Sequence, residues 1–264
     1  MLVNETPIEH VGGNVWVKRE DLCSPYPGPG FAKIRGVLAH VRARPEGLIG
    51  VLDTYHSKAG WAVAYVCRAL GKRCVDFFPV YKADGDALRP QQAMAHGLGA
   101  DLVPLPAGRS AILYHTARRE TVARGGYVMP NALKLPETVA EVADEVVRTP
   151  GLSRFEHLVI SVSSGTIAAG VLSGFARLGL APRTTFHLGY DRSREALLSY
   201  VRGYVPSLDA FRPEVVDEGY GYKDKARGAE VAPFPCNPYY DLKAWQWLRR
   251  QDSLPPTLFW NVGC

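Results

Sequence analysis

Short apolar runs, each followed by a longer stretch with helical spacing, recur through most of this chain, and that alternation decides what it can fold into. Strands are expected at 15–17, 48–52, 75–80, 101–105, 127–129, 157–162, 184–188 and 257–260. Helices are expected at 33–43, 59–70, 87–97, 109–124, 136–148, 166–179, 193–202 and 240–250. Ile34, Val37, Leu38 and Val41 show the spacing of one buried helical face. Gly71 closes the second helix, and Pro136 opens the fifth. Only 205–237, rich in aromatics, Gly and Pro, lacks a regular pattern. Such alternation predicts an α/β fold with a mainly parallel sheet, whose ligands sit at the carboxyl ends of strands. Three strand-end loops therefore matter most: 53–58, 161–166 and 261–264.

Composition narrows the class. With 264 residues, 47% hydrophobic and 22% charged, the chain has enough apolar surface for one or two globular domains. It has no apolar run of about 18 residues, so no membrane span is expected. The start, MLVNETPIEHVGG, shows no secretory signal. Five cysteines without C-x-x-C spacing suggest reduced thiols in a cytoplasmic protein and no zinc site. The seven histidines show no metal-ligand spacing. A net charge of +5 suits an anionic cofactor, an acidic substrate or nucleic acid and selects none of them. No block of Lys and Arg forms a basic tail.

Several stretches carry chemistry. KREDLCSPYPGPGFAKIRG, from Lys18 to Gly36, is a charged cluster followed by a stiff Pro/Gly loop that presents Lys33 at a helix start. Ser161-Val162-Ser163-Ser164-Gly165-Thr166 follows a strand and opens a helix; small residues and a helix N-terminus make a phosphate cradle there, or a simple Ser/Thr cap. It is neither a Walker loop nor a G-x-G-x-x-G fingerprint. In the 53–58 turn, Ser57 offers a hydroxyl and Lys58 a cation that hints at a local anion. Asn237-Pro238-Tyr239-Tyr240-Asp241-Leu242-Lys243 places Asp241 in the first turn of a helix. No G-x-S-x-G serine-hydrolase motif occurs.

Taken together, these stretches resemble the fold-type II pyridoxal-phosphate enzymes, the tryptophan-synthase-β-like superfamily. The nearest branch is that of aminocyclopropane-carboxylate deaminase and D-cysteine desulfhydrase. Lys33-Ile34-Arg35 is similar to the K-x-R whose lysine holds the cofactor as an internal aldimine. His56-Ser57-Lys58-Ala59 resembles the Q-S-N loop, and Ser163 to Gly170 resembles the G-S-G-G-T-x-A-G phosphate loop. Pro238 to Lys243 resembles D-P-V-Y-E/T-G-K, and Glu218 to Tyr222 resembles G-P-G-Y-G more weakly. The resemblance implies two open, twisted, mainly parallel sheets flanked by helices, with pyridoxal 5′-phosphate in the cleft between them. It implies a larger cofactor-binding domain (1–44 and 126–264), a smaller α/β domain (45–125) and a homodimer. Lys33, Tyr240 and Ser57 are the implied catalytic residues. Lys33, Lys58, Ser163, Ser164, Gly165, Thr166 and Asp241 are implied to hold the cofactor, with Asp241 at the pyridine nitrogen. His56, Ser57, Ala59 and Tyr220 are implied to meet substrate. Two departures stand out: Lys58 replaces the family's asparagine, and FWNVGC replaces an H-T-G-G end, losing a hydroxyl at Val262.

A lysine must be neutral to form an imine, well below its ordinary pKa of about 10.4. Once displaced by a substrate amine, Lys33 becomes a general base or acid at the substrate Cα, and the ring acts as electron sink, passing through a quinonoid state. The expected reaction is elimination or deamination of a small amino acid. One alternative is decarboxylation, lysis or isomerisation of an amino-acid-modified base in viral DNA, which the trimmed chain and Lys58 would admit. Another is a non-catalytic regulator that binds the cofactor.

Overall fold

The computed structural model describes residues 2–54, 56–81 and 87–264; Tyr55, inside the predicted 53–58 turn, and 82–86 lie outside the described residues. In chain order the elements are β1 (Ile8–Gly12), β2 (Val15–Arg19), α1 (Ile34–Arg42), β3 (Leu48–Leu52), α2 (Ala59–Ala69), β4 (Arg73–Val80), α3 (Pro90–Gly97), β5 (Asp101–Pro106), α4 (Ser110–Ala123) and β6 (Tyr127–Val128). They continue with α5 (Pro136–Arg148), β7 (His157–Val162), α6 (Thr166–Arg177), β8 (Arg183–Leu188), α7 (Arg194–Arg202), β9 (Glu214–Val216), α8 (Asp241–Arg249) and β10 (Thr257–Asn261). The described chain forms two compact units. The smaller takes residues 24–29 and 33–137, the larger 3–23, 30–32 and 138–264. The two units thus meet in the sequence between Ala32 and Lys33. Leu2 and residues 24–29, 33–44 and 126–137, expected in the larger domain, fall in the smaller unit.

The smaller unit holds a four-stranded sheet, β5-β4-β3-β6, in which every pairing is parallel. All four carboxyl ends therefore share one edge. β3 is apolar at every position because a parallel strand is covered on both faces. Leu48, Leu52, Val75, Phe77 and Leu105 pack with Leu113 and Ala117 of α4. The larger unit holds β1-β2-β10-β7-β8-β9, parallel except for the β1–β2 pair. Side-chain alternation splits its central strands between two cores. Leu258, Trp260, Ile160 and Val162 join Val142, Val146 and Phe175 on one face. Phe259, Val159, Val15 and Val17 join Trp245 and Leu248 of α8 on the other.

The charged cluster that opens the Lys18–Gly36 stretch is internal scaffolding. Lys18 is 1% exposed on β2, and its ammonium donates to Glu145 Oε1 (2.7 Å), Thr6 O (2.6 Å) and Thr149 Oγ1 (2.8 Å). Arg19 grips both oxygens of Asp21, and Asp21 Oδ1 accepts from Asn261 Nδ2 at 3.0 Å. Removing one partner of a buried pair strands the other charge. Glu145→Ala is therefore expected to destabilise the protein by about 3–5 kcal/mol, read from urea unfolding. A loss within experimental error would mean that Lys18 keeps adequate partners without it.

Two short strands escaped the sequence pattern. β1 is an edge strand with no fully buried residue, and β9 has only three residues. The helix expected from 87 begins at Pro90, because Arg89 stays extended as its cap.

Candidate active site

Lys33 stands in the smaller unit as the residue capping α1, buried to 9% exposure. Its Nζ donates to Ala132 O at 2.7 Å, in the loop that follows β6. Ala132 and Leu133 both have left-handed backbones (φ 59° and 48°), costly for residues with a Cβ. The carbonyl that receives Lys33 is thus held in a constrained turn at the carboxyl edge of the sheet.

The 53–58 turn lies on the same edge, after β3. Ser57 Oγ accepts the Ala59 N–H at 3.0 Å. Ser57 therefore braces the turn as well as facing it, a role that the sequence did not suggest. Lys58 Nζ lies 5.3 Å from the Trp61 ring centroid, and His56 is buried. Beneath the turn sit two fully buried carboxyls, Asp53 and Asp76. Asp76 lies against Gly60, where a Cβ would fall 2.1 Å from its Oδ2. Among the described residues neither Asp76 oxygen has a hydrogen-bond partner, and Asp53 Oδ2 has none either. Burial pushes Asp53 up to about 7, opposed by the amides of Thr54, Gly60 and Ala59 and by Ser57. Burial, with the charge of Asp53, holds Asp76 well above the carboxylate range. Both folded values exceed the unfolded ones, so the pair's contribution to stability is full below about pH 4 and is lost as pH rises, for Asp53 through about 7. Asp76→Asn is expected to flatten the fall in melting temperature between pH 5 and pH 8. An unchanged slope would show that the pair does not titrate there.

In the larger unit, the carboxyl ends of β7 and β8 gather the other candidates. Gly165 (φ +83°) caps α6; a Cβ there would lie 2.9 Å from Leu197 Cδ1. Ser164 Oγ and Thr166 Oγ1 are 3.0 Å apart, and Thr166 Oγ1 reaches Tyr200 OH at 3.3 Å. The first amides of α6 have no intrahelical acceptor and open toward this loop. Ser161 Oγ, buried on β7, has no hydrogen-bond partner among the described residues.

Tyr240 caps α8, with its ring against Gly189 at the end of β8. Asp241, 1% exposed, accepts the Val262 N–H on Oδ1 at 2.9 Å. Val262 O in turn accepts from Ala32 N–H at 2.9 Å, and Cys264 N–H donates to Gly30 O at 2.9 Å. The carboxylate, the last residues of the chain and the residue preceding Lys33 thus form one hydrogen-bonded line within this unit.

Tyr220 is buried, with the Arg227 guanidinium 4.4 Å and the Lys243 amine 4.3 Å from its ring centroid. Lys243 is the residue the sequence reading passed over. Its Nζ donates to Gly189 O at 2.5 Å, and burial lowers its pKa to about 8. Its signal in the sequence was its place at the end of the Pro238–Lys243 segment, to which no role was attached.

The family described as "Pyridoxal-phosphate dependent enzyme" matches residues 1–189. A protein of Pseudomonas phage M6 named "Glycyl-dTMP PLP-dependent decarboxylase" is 55% identical over 278 residues, covering 100% of both chains. Among solved structures, an ACC deaminase homologue has a TM-score of 0.79 at 19% identity over 100% of this chain and 90% of its own. A fungal L-serine ammonia-lyase from Rhizomucor miehei has a TM-score of 0.69 at 17% identity, covering 99% and 94%. At such identities the two structures speak for the fold alone. The residues fit the cofactor: 161–166 contains no carboxylate, offers hydroxyls and helix amides to a dianion, and keeps the orphaned Ser161 hydroxyl beside them. The chain belongs to the pyridoxal-phosphate dependent enzymes, and its cofactor is pyridoxal 5′-phosphate.

Proposed function

We propose that this enzyme removes CO2 from the Cα of a glycyl group carried on a thymine nucleotide. The observation that carries this reading is the 55% identity with the phage M6 decarboxylase across the whole of both chains. Only a glycine unit joined to the base through Cα keeps both a free amine and a free carboxylate, and it has no heteroatom leaving group on a β-carbon, so loss of CO2 suits it better than elimination.

When bound, pyridoxal phosphate supplies the sink for the electron pair left as the Cα–carboxylate bond breaks. In this reading Lys33 Nζ would be the attachment point of the cofactor and would deliver the proton to Cα. Its contact with Ala132 O keeps that amine at one edge of the sheet. Ser163, Ser164, Gly165 and Thr166 hold the phosphate through hydroxyls and amides. The Asp241 carboxylate, aimed by the Val262 amide, keeps a proton on the ring nitrogen. The 56–59 turn binds the substrate carboxylate at the entrance to α2, with Lys58 adding charge. Tyr240 walls the site beside Gly189 and offers its hydroxyl to the substrate, and Tyr220 is held behind it by Lys243.

Holoenzyme incubated with a glycyl-bearing thymidine nucleotide is expected to release CO2 and retain the amine, as seen by mass spectrometry. Ammonia without CO2 would return the reaction to the deaminase type.

A further inference from the structure

A parallel strand covered on both faces is ordinarily apolar throughout, and in the smaller unit Asp53 and Asp76 break that rule. Both are 0% exposed. β3 and β4 run side by side with Val51 opposite Asp76, and Asp53 follows two residues later on the same face. The Asp53 N–H donates to Phe77 O at 2.7 Å, which carries the strand pairing up to the acid itself. The face they share is the one α2 covers. Room is made there by Gly60 in the first turn of α2, where a Cβ would fall 2.1 Å from Asp76 Oδ2.

The pair therefore lies directly beneath the entrance to α2. Asp53 Oδ1 accepts the Thr54 N–H at 2.9 Å. Burial disfavours its charge, while the amides of Thr54, Gly60 and Ala59 and the Ser57 hydroxyl favour it. Both Asp76 oxygens and Asp53 Oδ2 lack a hydrogen-bond partner among the described residues. A buried carboxyl without partners is kept neutral, and two such groups side by side hold at least one proton between them. Nearby groups leave that proton in place. Cys67 of α2 and burial push the Cys74 thiol of β4 well above its ordinary value, and Asp101 at the start of β5 adds only negative charge. His56 and Lys58 are the cations of the turn, and Lys58 Nζ lies 5.3 Å from the Trp61 ring centroid. No third side chain completes a metal-ligating group with the two acids among the described residues. A proton is the cation they are placed to share.

We propose that Asp53 and Asp76 make docking of the substrate carboxylate proton-coupled: the pair takes up one proton from solvent as the carboxylate settles at the entrance to α2. The inference rests on the reading of the 56–59 turn as the carboxylate subsite. An ionised Asp53 draws on the same helix amides as the substrate carboxylate and repels it, whereas a protonated pair leaves those amides to the substrate. Once CO2 has left, the product amine has no carboxylate to hold there, and the pair returns its proton to solvent. Substrate thus displaces product more readily at low pH than at high pH. The two acids determine specificity for a carboxylate-bearing ligand without touching the bond that breaks.

The test uses holoenzyme and Asp53→Asn with two ligands, the glycyl-bearing thymidine nucleotide and its decarboxylated amine. Affinities at pH 6 and pH 8 are read from the first change in cofactor absorbance on rapid mixing, and proton uptake from an indicator dye at pH 8. In wild type the affinity for the carboxylate ligand, relative to the amine, is expected to fall about ten-fold from pH 6 to pH 8, as for a group titrating at about 7. At pH 8 about one more proton is taken up with the carboxylate ligand than with the amine. Asp53→Asn, neutral at both pH values, is expected to keep the ratio flat at the level wild type shows at pH 6. A merely structural role would instead lower affinity equally at both. A wild-type ratio that does not change with pH, or equal proton uptake for the two ligands, overturns the proposal whether or not the variant folds. So does a variant ratio that still falls about ten-fold. If the nucleotide binds but loses no CO2, the decarboxylase reading fails, and the two affinities still decide the role of the pair.

Discussion

Lys33→Ala is expected to abolish the visible absorbance of lysine-linked pyridoxal phosphate and to lower turnover by at least about a thousand-fold. The effect is large because one side chain has two duties, attachment and proton delivery, and no other amine shares its contact with Ala132 O at 2.7 Å among the described residues. The fold should survive: Lys33 caps α1 through its backbone, with the Val37 N–H donating to Lys33 O at 3.0 Å, and alanine keeps that bond. Circular dichroism with the absorbance spectrum separates the outcomes. A variant that folds, binds cofactor and retains lysine-type absorbance would move the attachment to another amine, with Lys58 first to be examined.

Asp241→Asn is expected to lower turnover by about a hundred-fold or more while leaving the cofactor bound. Asparagine keeps an oxygen for the Val262 N–H, so the hydrogen-bonded line to Ala32 persists and only the charge is lost. That distinction makes the variant informative. If Asp241 acts only as a brace for the chain end, the amide will serve as well and activity will be unchanged. If it holds a proton on the ring nitrogen, the amide cannot replace it, and the loss will appear in kcat more than in KM.

Local patterns were legible in this sequence, and distant pairings were not. β3, β7 and α5 fall where the apolar runs and Pro136 placed them, because a fully covered strand or an amphipathic helix announces itself in a few residues. Lys33 at a helix start and Asp241 in a first turn were likewise visible from their neighbours. Asp53 and Asp76 were not, since adjacent parallel strands bring them together and no local spacing encodes that. Lys18 and Lys243 were hidden for the opposite reason. A lysine in an apolar stretch reads as surface until Glu145 or Gly189 O, far away in sequence, is seen to meet its amine. Ser57 was visible as a hydroxyl, whereas its bond with the Ala59 N–H needed the turn to be built.

The line that joins Gly30 and Ala32 to Val262 and Cys264 also sets an order in time. Synthesis delivers the lysine-bearing segment well before Val262 and Cys264, so Ala32 lacks its backbone partner until those residues emerge. Contacts that span nearly the whole sequence form late, after more local structure is in place. The loop before Lys33 is therefore seated only once Val262 has been made. A polypeptide stopped short of Val262 lacks the clasp that seats the segment before Lys33, whatever the state of its two sheets.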